Sequence, residues 1–105
     1  MSIPSIAVTE QVAAAMSLRN LQHQVIASNI ANRDAHGYQR MQVQFDGAME
    51  RAGAARIVAD TAEQPASLED DLVALSSNSM RYQAMASVLS RYFSIAAAIA
   101  NPNKG

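Results

Sequence analysis

A spacing of alternating four and three residues runs without a break from Leu68 to Ala100. Its members are Leu68, Leu72, Leu75, Ser79, Tyr82, Ala86, Leu89, Phe93, Ala96 and Ala100, with Ser79 the one plainly polar position. Such a repeat keeps a single stripe of an α-helix apolar. At about 1.5 Å per residue, a helix over residues 68–100 is roughly 50 Å long. A compact domain of about 100 residues has a radius of gyration of about 13 Å. The helix is therefore longer than a globule of this chain's mass is wide, and the 105-residue chain has to be elongated.

The start of this helix is marked in the sequence. Ser67-Leu68-Glu69-Asp70 has the form of a capping box, with Asp in the place usually held by Glu or Gln. Glu69, Asp70 and Asp71 fall in the first turn, where the helix dipole favours anions. Pro102 stops the pattern and Asn101 is placed to cap it, so the predicted helix spans 67–101. A second helix is predicted over 6–32. There Val8, Val12, Ala15, Leu18, Leu21 and Val25 recur at three and four residues, with no glycine or proline between them. Its stripe turns polar at Ser28, Asn29 and Asn32. Asn32 is the expected terminus, because asparagine tolerates the left-handed conformation that ends helices.

Between the helices the pattern changes twice. Residues 33–47 read as a turn and an extended arm. Asp34-Ala35-His36-Gly37 carries turn chemistry, with Gly37 able to supply a positive φ. Met41-Gln42-Val43-Gln44-Phe45 alternates strictly, which is a strand signal too short to found a sheet alone. The expectation is an arm that lays Met41, Val43 and Phe45 on an apolar surface, ended by Asp46-Gly47. Residues 48–66 are rich in alanine, hold Gly53 and Pro65, and keep no period. They read as a flexible connector, with a short helix allowed near 48–52. The fold class is thus mainly α: one domain over 1–105, with two long terminal helices packed as a coiled-coil-like hairpin, a short arm and a flexible middle.

Half of the residues are hydrophobic but 5% are aromatic, and alanine buries little area, so the seam between the helices is shallow. Ile26, Ile30, Val73, Met80, Met85, Val88, Ile95 and Ile99 fall off that seam. Exposed apolar surface on this scale marks an interface. A net charge of −1 supplies no positive field for nucleic acid. The absence of cysteine excludes disulfides, zinc–thiolate sites and thiol nucleophiles. The first residues lack the basic and apolar regions of a cleaved secretory signal, and no apolar run reaches the length of a membrane span. The expectation is a soluble protein made in the cytoplasm.

Chemistry finds little to work with. His23 and His36 are the only histidines, and neither has a ligand-spaced partner. His36 reads as a turn residue and His23 as a surface or interface residue. Glu69, Asp70 and Asp71 point in different directions on a helix, so a solvated, dipole-matched first turn is expected rather than a metal site. No cofactor, small-molecule substrate or enzymatic activity is expected. The asparagines read in two ways: as caps and surface polarity, or, for Asn29 and Asn78, as amides that hydrogen-bond at the helix seam. One buried amide can fix register and partner number.

The stretch "SNIANRDAHGYQRMQVQF" resembles the N-terminal motif of the flagellar axial proteins, the rod and hook family. The matching positions are Asn29, Ala31, Asn32, Gly37, Tyr38, Arg40 and Phe45. The stretch beginning "SLEDDLVALSSNSMRYQ" is similar to that family's closing helix, matching at Leu68, Glu69, Leu72, Asn78, Tyr82, Gln83, Leu89 and Ile99. Within the family it looks most like the proximal rod proteins. Two departures stand out. Ala35-His36 replaces a usual Thr-Pro, which implies a more mobile turn, and the middle is short compared with typical members, which puts a β-rich outer portion in doubt.

The resemblance implies a structural subunit of the bacterial flagellar basal-body rod. Such a subunit is exported uncleaved by the type III route and assembles in the periplasm with itself, homologous axial subunits and other basal-body components. It implies an assembly joint at Asn29, Ala31, Asn32, Gly37, Tyr38, Arg40 and Phe45, with residues 38–45 sent against a neighbour. It also implies a helix seam of Leu18, Leu21, Val25, Leu68, Leu72, Leu75, Asn78, Tyr82, Leu89 and Phe93. The alternative is a generic helical oligomerisation or regulatory module that forms a closed bundle.

Overall fold

The computed structural model describes residues 6–101. Helix α1 spans Ile6–Ala31, strand β1 Met41–Gln44, helix α2 Gly47–Arg51, strand β2 Arg56–Ala59 and helix α3 Leu68–Ala100. The two long helices pack against each other as an antiparallel hairpin: Arg33, just past the end of α1, meets Asp71 near the start of α3, and Asn78, further along α3, bonds back to Arg19 in the middle of α1. The molecule measures 62 × 27 × 16 Å, with a radius of gyration of 17.9 Å. That is well above the value for a compact chain of this mass, as the length of α3 requires.

Both ends of α3 follow from local chemistry. The Ser67 hydroxyl accepts from the Asp70 backbone N–H at 3.0 Å, and the Asp70 carboxylate accepts from the Ser67 N–H at 3.3 Å. The reciprocal pair satisfies two donors that a helix start leaves open. Asn101 ends the helix and donates its N–H to the Ala97 carbonyl at 3.0 Å. Pro102, read as the stop, lies outside the described residues. Helix α1 ends at Ala31, and Asn32 does not adopt the left-handed conformation expected of it; no non-glycine residue among those described does. Asn32 instead folds its amide back onto the Ser28 carbonyl at 2.9 Å, which caps the last turn without any strained φ.

The middle of the chain is more ordered than its composition suggests. β1 and β2 form an antiparallel pair, with Met41 opposite Ala59, Gln42 opposite Val58, Val43 opposite Ile57 and Gln44 opposite Arg56. The alternation at Met41, Val43 and Phe45 is real: these are half-buried, while Gln42 and Gln44 are exposed. The arm is therefore one strand of a two-stranded sheet; the short helix allowed near 48–52 is α2, and the reading of the remainder up to 66 as a flexible connector is corrected by β2. Asp46 caps α2 by accepting from the Met49 N–H at 2.8 Å, and Gly53 leaves that helix with a φ of +68°. "RIVA" escaped notice because four residues bearing one β-branched pair carry no period.

The seam between the long helices is rotated from the one read off apolar spacing. On α1 the buried positions are Leu18, Val25 and Asn29, at 2%, 9% and 4% exposure. Leu21 is half-buried beside them. On α3 the inward line runs Asp71, Leu75, Asn78, Met85, Leu89, Tyr92, Ala96 and Ile99. Leu68, Leu72, Tyr82 and Phe93, expected in the seam, are exposed, with Leu72 at 49% and Phe93 at 59%. Met85 and Ile99, expected off it, are half-buried. The cause is that polar side chains occupy the inward positions near the start of α3. An apolar count cannot see them, and it slid the register onto the flanking leucines.

Candidate functional site

The chemistry of the molecule is concentrated where the sheet meets the helix hairpin. Asn29 sits near the end of α1, one helical turn beyond Val25, and its amide faces β1. Its Nδ2 donates to the Met41 carbonyl at 2.8 Å, and its Oδ1 accepts from the Met41 N–H at 3.0 Å. A primary amide and a peptide group have the same donor–acceptor spacing, so Asn29 pairs with Met41 as a neighbouring strand would. The Tyr38 hydroxyl also donates to Asn29 Oδ1 at 3.0 Å and lies 3.1 Å from the Ser28 hydroxyl. The buried amide therefore ties α1 to the arm at two residues.

Gly37 makes this possible. The Tyr38 N–H donates to the Ala35 carbonyl at 3.2 Å, and Gly37, third in that four-residue turn, has a φ of +79°. This is the position of a type II turn that glycine fills without strain. A Cβ placed on Gly37 would meet nothing within 4 Å, so replacement costs backbone strain alone. Gly37→Val should lower folding stability by about 1–2 kcal/mol through that strain while leaving the helices in place. Urea unfolding followed by circular dichroism checks this. His36→Ala, at an exposed position, should leave the midpoint unchanged.

Behind the amide lies an ion cluster. Arg40 grips Asp71 with two parallel bonds, Nη1 to Oδ2 at 2.8 Å and Nη2 to Oδ1 at 2.9 Å. Its Nε lies 3.7 Å from the Asp60 carboxylate, and Arg33 approaches Asp71 at 3.8 Å. The Asp71 side chain is 7% exposed and that of Arg40 17%. Hydrogen bonds from Arg40 hold the Asp71 carboxyl below its ordinary range. Burial opposes that shift, and the charges of Arg40 and Arg33 reinforce it. The same bonds raise Arg40 above its usual value against the cost of burial. The fork joins the arm directly to α3. Two turns further along α3, Asn78 donates to the Arg19 carbonyl of α1 at 2.6 Å, which joins α3 to α1.

The residues singled out in the sequence divide accordingly. Asn29, Tyr38 and Arg40 come together, and Gly37 and Asn32 frame them. Phe45 stands apart, half-buried by an open groove of about 550 Å³ that it lines with Val43, Met49 and Arg56. Ala31 is exposed. Asn78 bonds across the helix seam as one reading had it, whereas Asn29 bonds to the arm. Residues 38–45, expected to reach for a neighbour, pack within their own chain, and the Tyr38 hydroxyl is already engaged.

Asp71 is buried rather than the solvated first-turn residue expected from the acidic run, and Asp60 and Arg33 join it with no motif in the sequence to mark them. For Asp71 a signal existed: it stands four residues before Leu75 and seven before Asn78, on the inward line. Among the described residues no group of His, Asp and Glu could hold a metal ion, and no helix is long and apolar enough to cross a membrane. The cluster is a set of bonds between elements, although the buried Arg40 Nε, 3.7 Å from Asp60, makes no hydrogen bond. No protein-family model matches the chain, and no curated protein matches it.

Proposed function

We propose that this chain is a structural subunit of a helical assembly, and that the assembly is the proximal rod of a bacterial flagellar basal body. The observation that carries the first part is the surface of α3. Leu72, Val73, Met80, Val88, Phe93 and Ile95 stand exposed along this helix, Val73 at 69%. A shallow hairpin that leaves so much apolar side chain in water is built to be covered. The second part rests on the resemblance of the two terminal motifs to the rod and hook family. The residues of those motifs meet in space, since Asn29, Tyr38 and Arg40 of the first contact one another or the closing helix. Heterologous contacts between such rods extend as filaments rather than closing. The chain would be exported uncleaved and partner with homologous axial subunits. A closed helical bundle would cover the same stripe and is the alternative.

The experiment is made in the motile bacterium that carries the gene. Deletion should abolish swimming and leave basal bodies without a complete rod, and complementation should restore both. Mass spectrometry of purified basal bodies should recover the chain with its N-terminal peptide intact. A deletion strain that swims normally, or basal bodies that lack the chain, would falsify the rod assignment.

A further inference from the structure

The two edges of the small sheet are treated differently. Met41, on β1, turns its N–H and carbonyl away from β2 and gives both to Asn29. On the other strand the Asp60 N–H points inward to the Arg40 carbonyl at 2.8 Å. Main-chain groups alternate along a strand, so Val58 also faces β1, while Ile57 and Ala59 face outward. Among the described residues their N–H and carbonyl groups have no partner, and β1 is the only element whose backbone lies against β2. No proline, lysine or bulge blunts this edge, and Ile57 is 49% exposed on it. An open strand edge of this kind is a template for another strand.

The sequence of the edge selects the occupant. Read from Arg56 to Asp60 it is cation, two branched apolar residues, alanine, anion. We propose that a second copy of this chain pairs its β2 antiparallel with this one, about a two-fold axis through Val58. In that register Ile57 faces Ala59 of the second copy, and each such pair exchanges two main-chain hydrogen bonds. Val58 meets its own counterpart, and Arg56 lies opposite Asp60 at both ends. Slipping by two residues either way, the next registers that keep the outward main-chain groups paired, puts Ile57 opposite Ile57, or Ala59 opposite Ala59, and loses both charge pairs. The Arg56 and Asp60 pairs are of the non-hydrogen-bonded kind, where side chains lie closest. Among the described residues Arg56 has no ion pair within its own chain, so its charge is available. Both open edges vanish in the product, a four-stranded sheet flanked by two helix hairpins.

The pairing does not depend on the rod reading, and the tests are separate. Sedimentation equilibrium of the purified full chain should show a monomer–dimer equilibrium. Arg56→Asp and Asp60→Arg should each weaken it about tenfold or more, since each sets like charges opposite at two positions. Asp60 also contacts Arg40, so circular dichroism must first show that the variant is folded. Mixing the two variants should restore a dimer, because every position then faces its opposite charge. The chain has no cysteine, so Val58→Cys supplies a unique thiol at the axis. Paired strands bring these Cα atoms within disulfide range. Val58→Cys should oxidise readily to a covalent dimer, while Gln42→Cys, one strand away, should not. A monomeric wild-type chain, a mixture no tighter than either variant, or equal cross-linking at 58 and 42 would each overturn the proposal.

Discussion

An Asn29→Ala chain should lose about 2–4 kcal/mol of folding stability, the largest effect expected of any single truncation here. Three hydrogen bonds meet on that amide, and two of them satisfy the backbone of Met41. Without the amide, the Met41 N–H and carbonyl face the flank of α1 with nothing to bond. Tyr38 loses its acceptor at the same time. Because the α1–α3 seam does not run through the sheet, the helices should persist while the hairpin of β1 and β2 lifts away. Thermal melts by circular dichroism should shift strongly downward, and amide exchange at Gln42 and Gln44 should speed up. Asn29→Asp is the informative companion. It keeps the acceptor for Met41 N–H and Tyr38 but sets an anion against the Met41 carbonyl, so it should fall between Ala and wild type at acidic pH and worsen as the carboxyl ionises. A wild-type melting temperature for Asn29→Ala would mean that the strand is held by something else.

Asp71→Asn should cost about 2 kcal/mol at neutral pH, less than the ~3–5 kcal/mol of a fully buried broken pair, because Arg40 keeps some access to water and to Asp60. The pH dependence carries the sharper content. The carboxyl of Asp71 is depressed in the folded chain, so its contribution is complete above the unfolded pKa and fades as pH falls through the folded one. The gap between wild type and Asp71→Asn should therefore be constant from neutral pH down to about 4 and close below it. Urea midpoints at a series of pH values measure that gap. A gap that stays open at strongly acidic pH would show that packing, not charge, is what the substitution removes.

These two residues also show where sequence reading succeeds and fails. The two long helices, the capping box at Ser67, the turn glycine and the alternation from Met41 to Phe45 were all legible. Each depends on residues within a few positions of one another. Asn29 was singled out from its motif, but its partner was not, because nothing in the sequence says that a side-chain amide will stand in for a strand. Asp71 was hidden by its neighbours: Glu69 and Asp70 face solvent, and three acids in a row look like one solvated turn. Its burial depends on Arg40, which is 31 positions away. The misplacement of the seam onto Leu68, Leu72 and Phe93 follows from the same blindness, since an apolar count gives Asp71 and Asn78 no weight. β2 was missed because four residues gain their identity only from the strand opposite.

All these polar fastenings lie at one end. Arg40 with Asp71, Asn29 with Met41, and Asn78 with Arg19 gather in the half of the molecule that carries the sheet. Beyond Asn78, α3 runs on to Ala100 with its own Leu89, Ala96 and Ile99 half-buried along the alanine-rich first half of α1, and apolar contacts of this kind slide and tilt at little cost. That free portion is roughly 33 Å long. It is a lever with its fulcrum at Asn78: a tilt of about 5° at the fixed end would carry the tip by about 3 Å, half the pitch of a helix. Subunits of identical sequence could thus adopt slightly different splay in different surroundings while keeping their fastened ends superimposable.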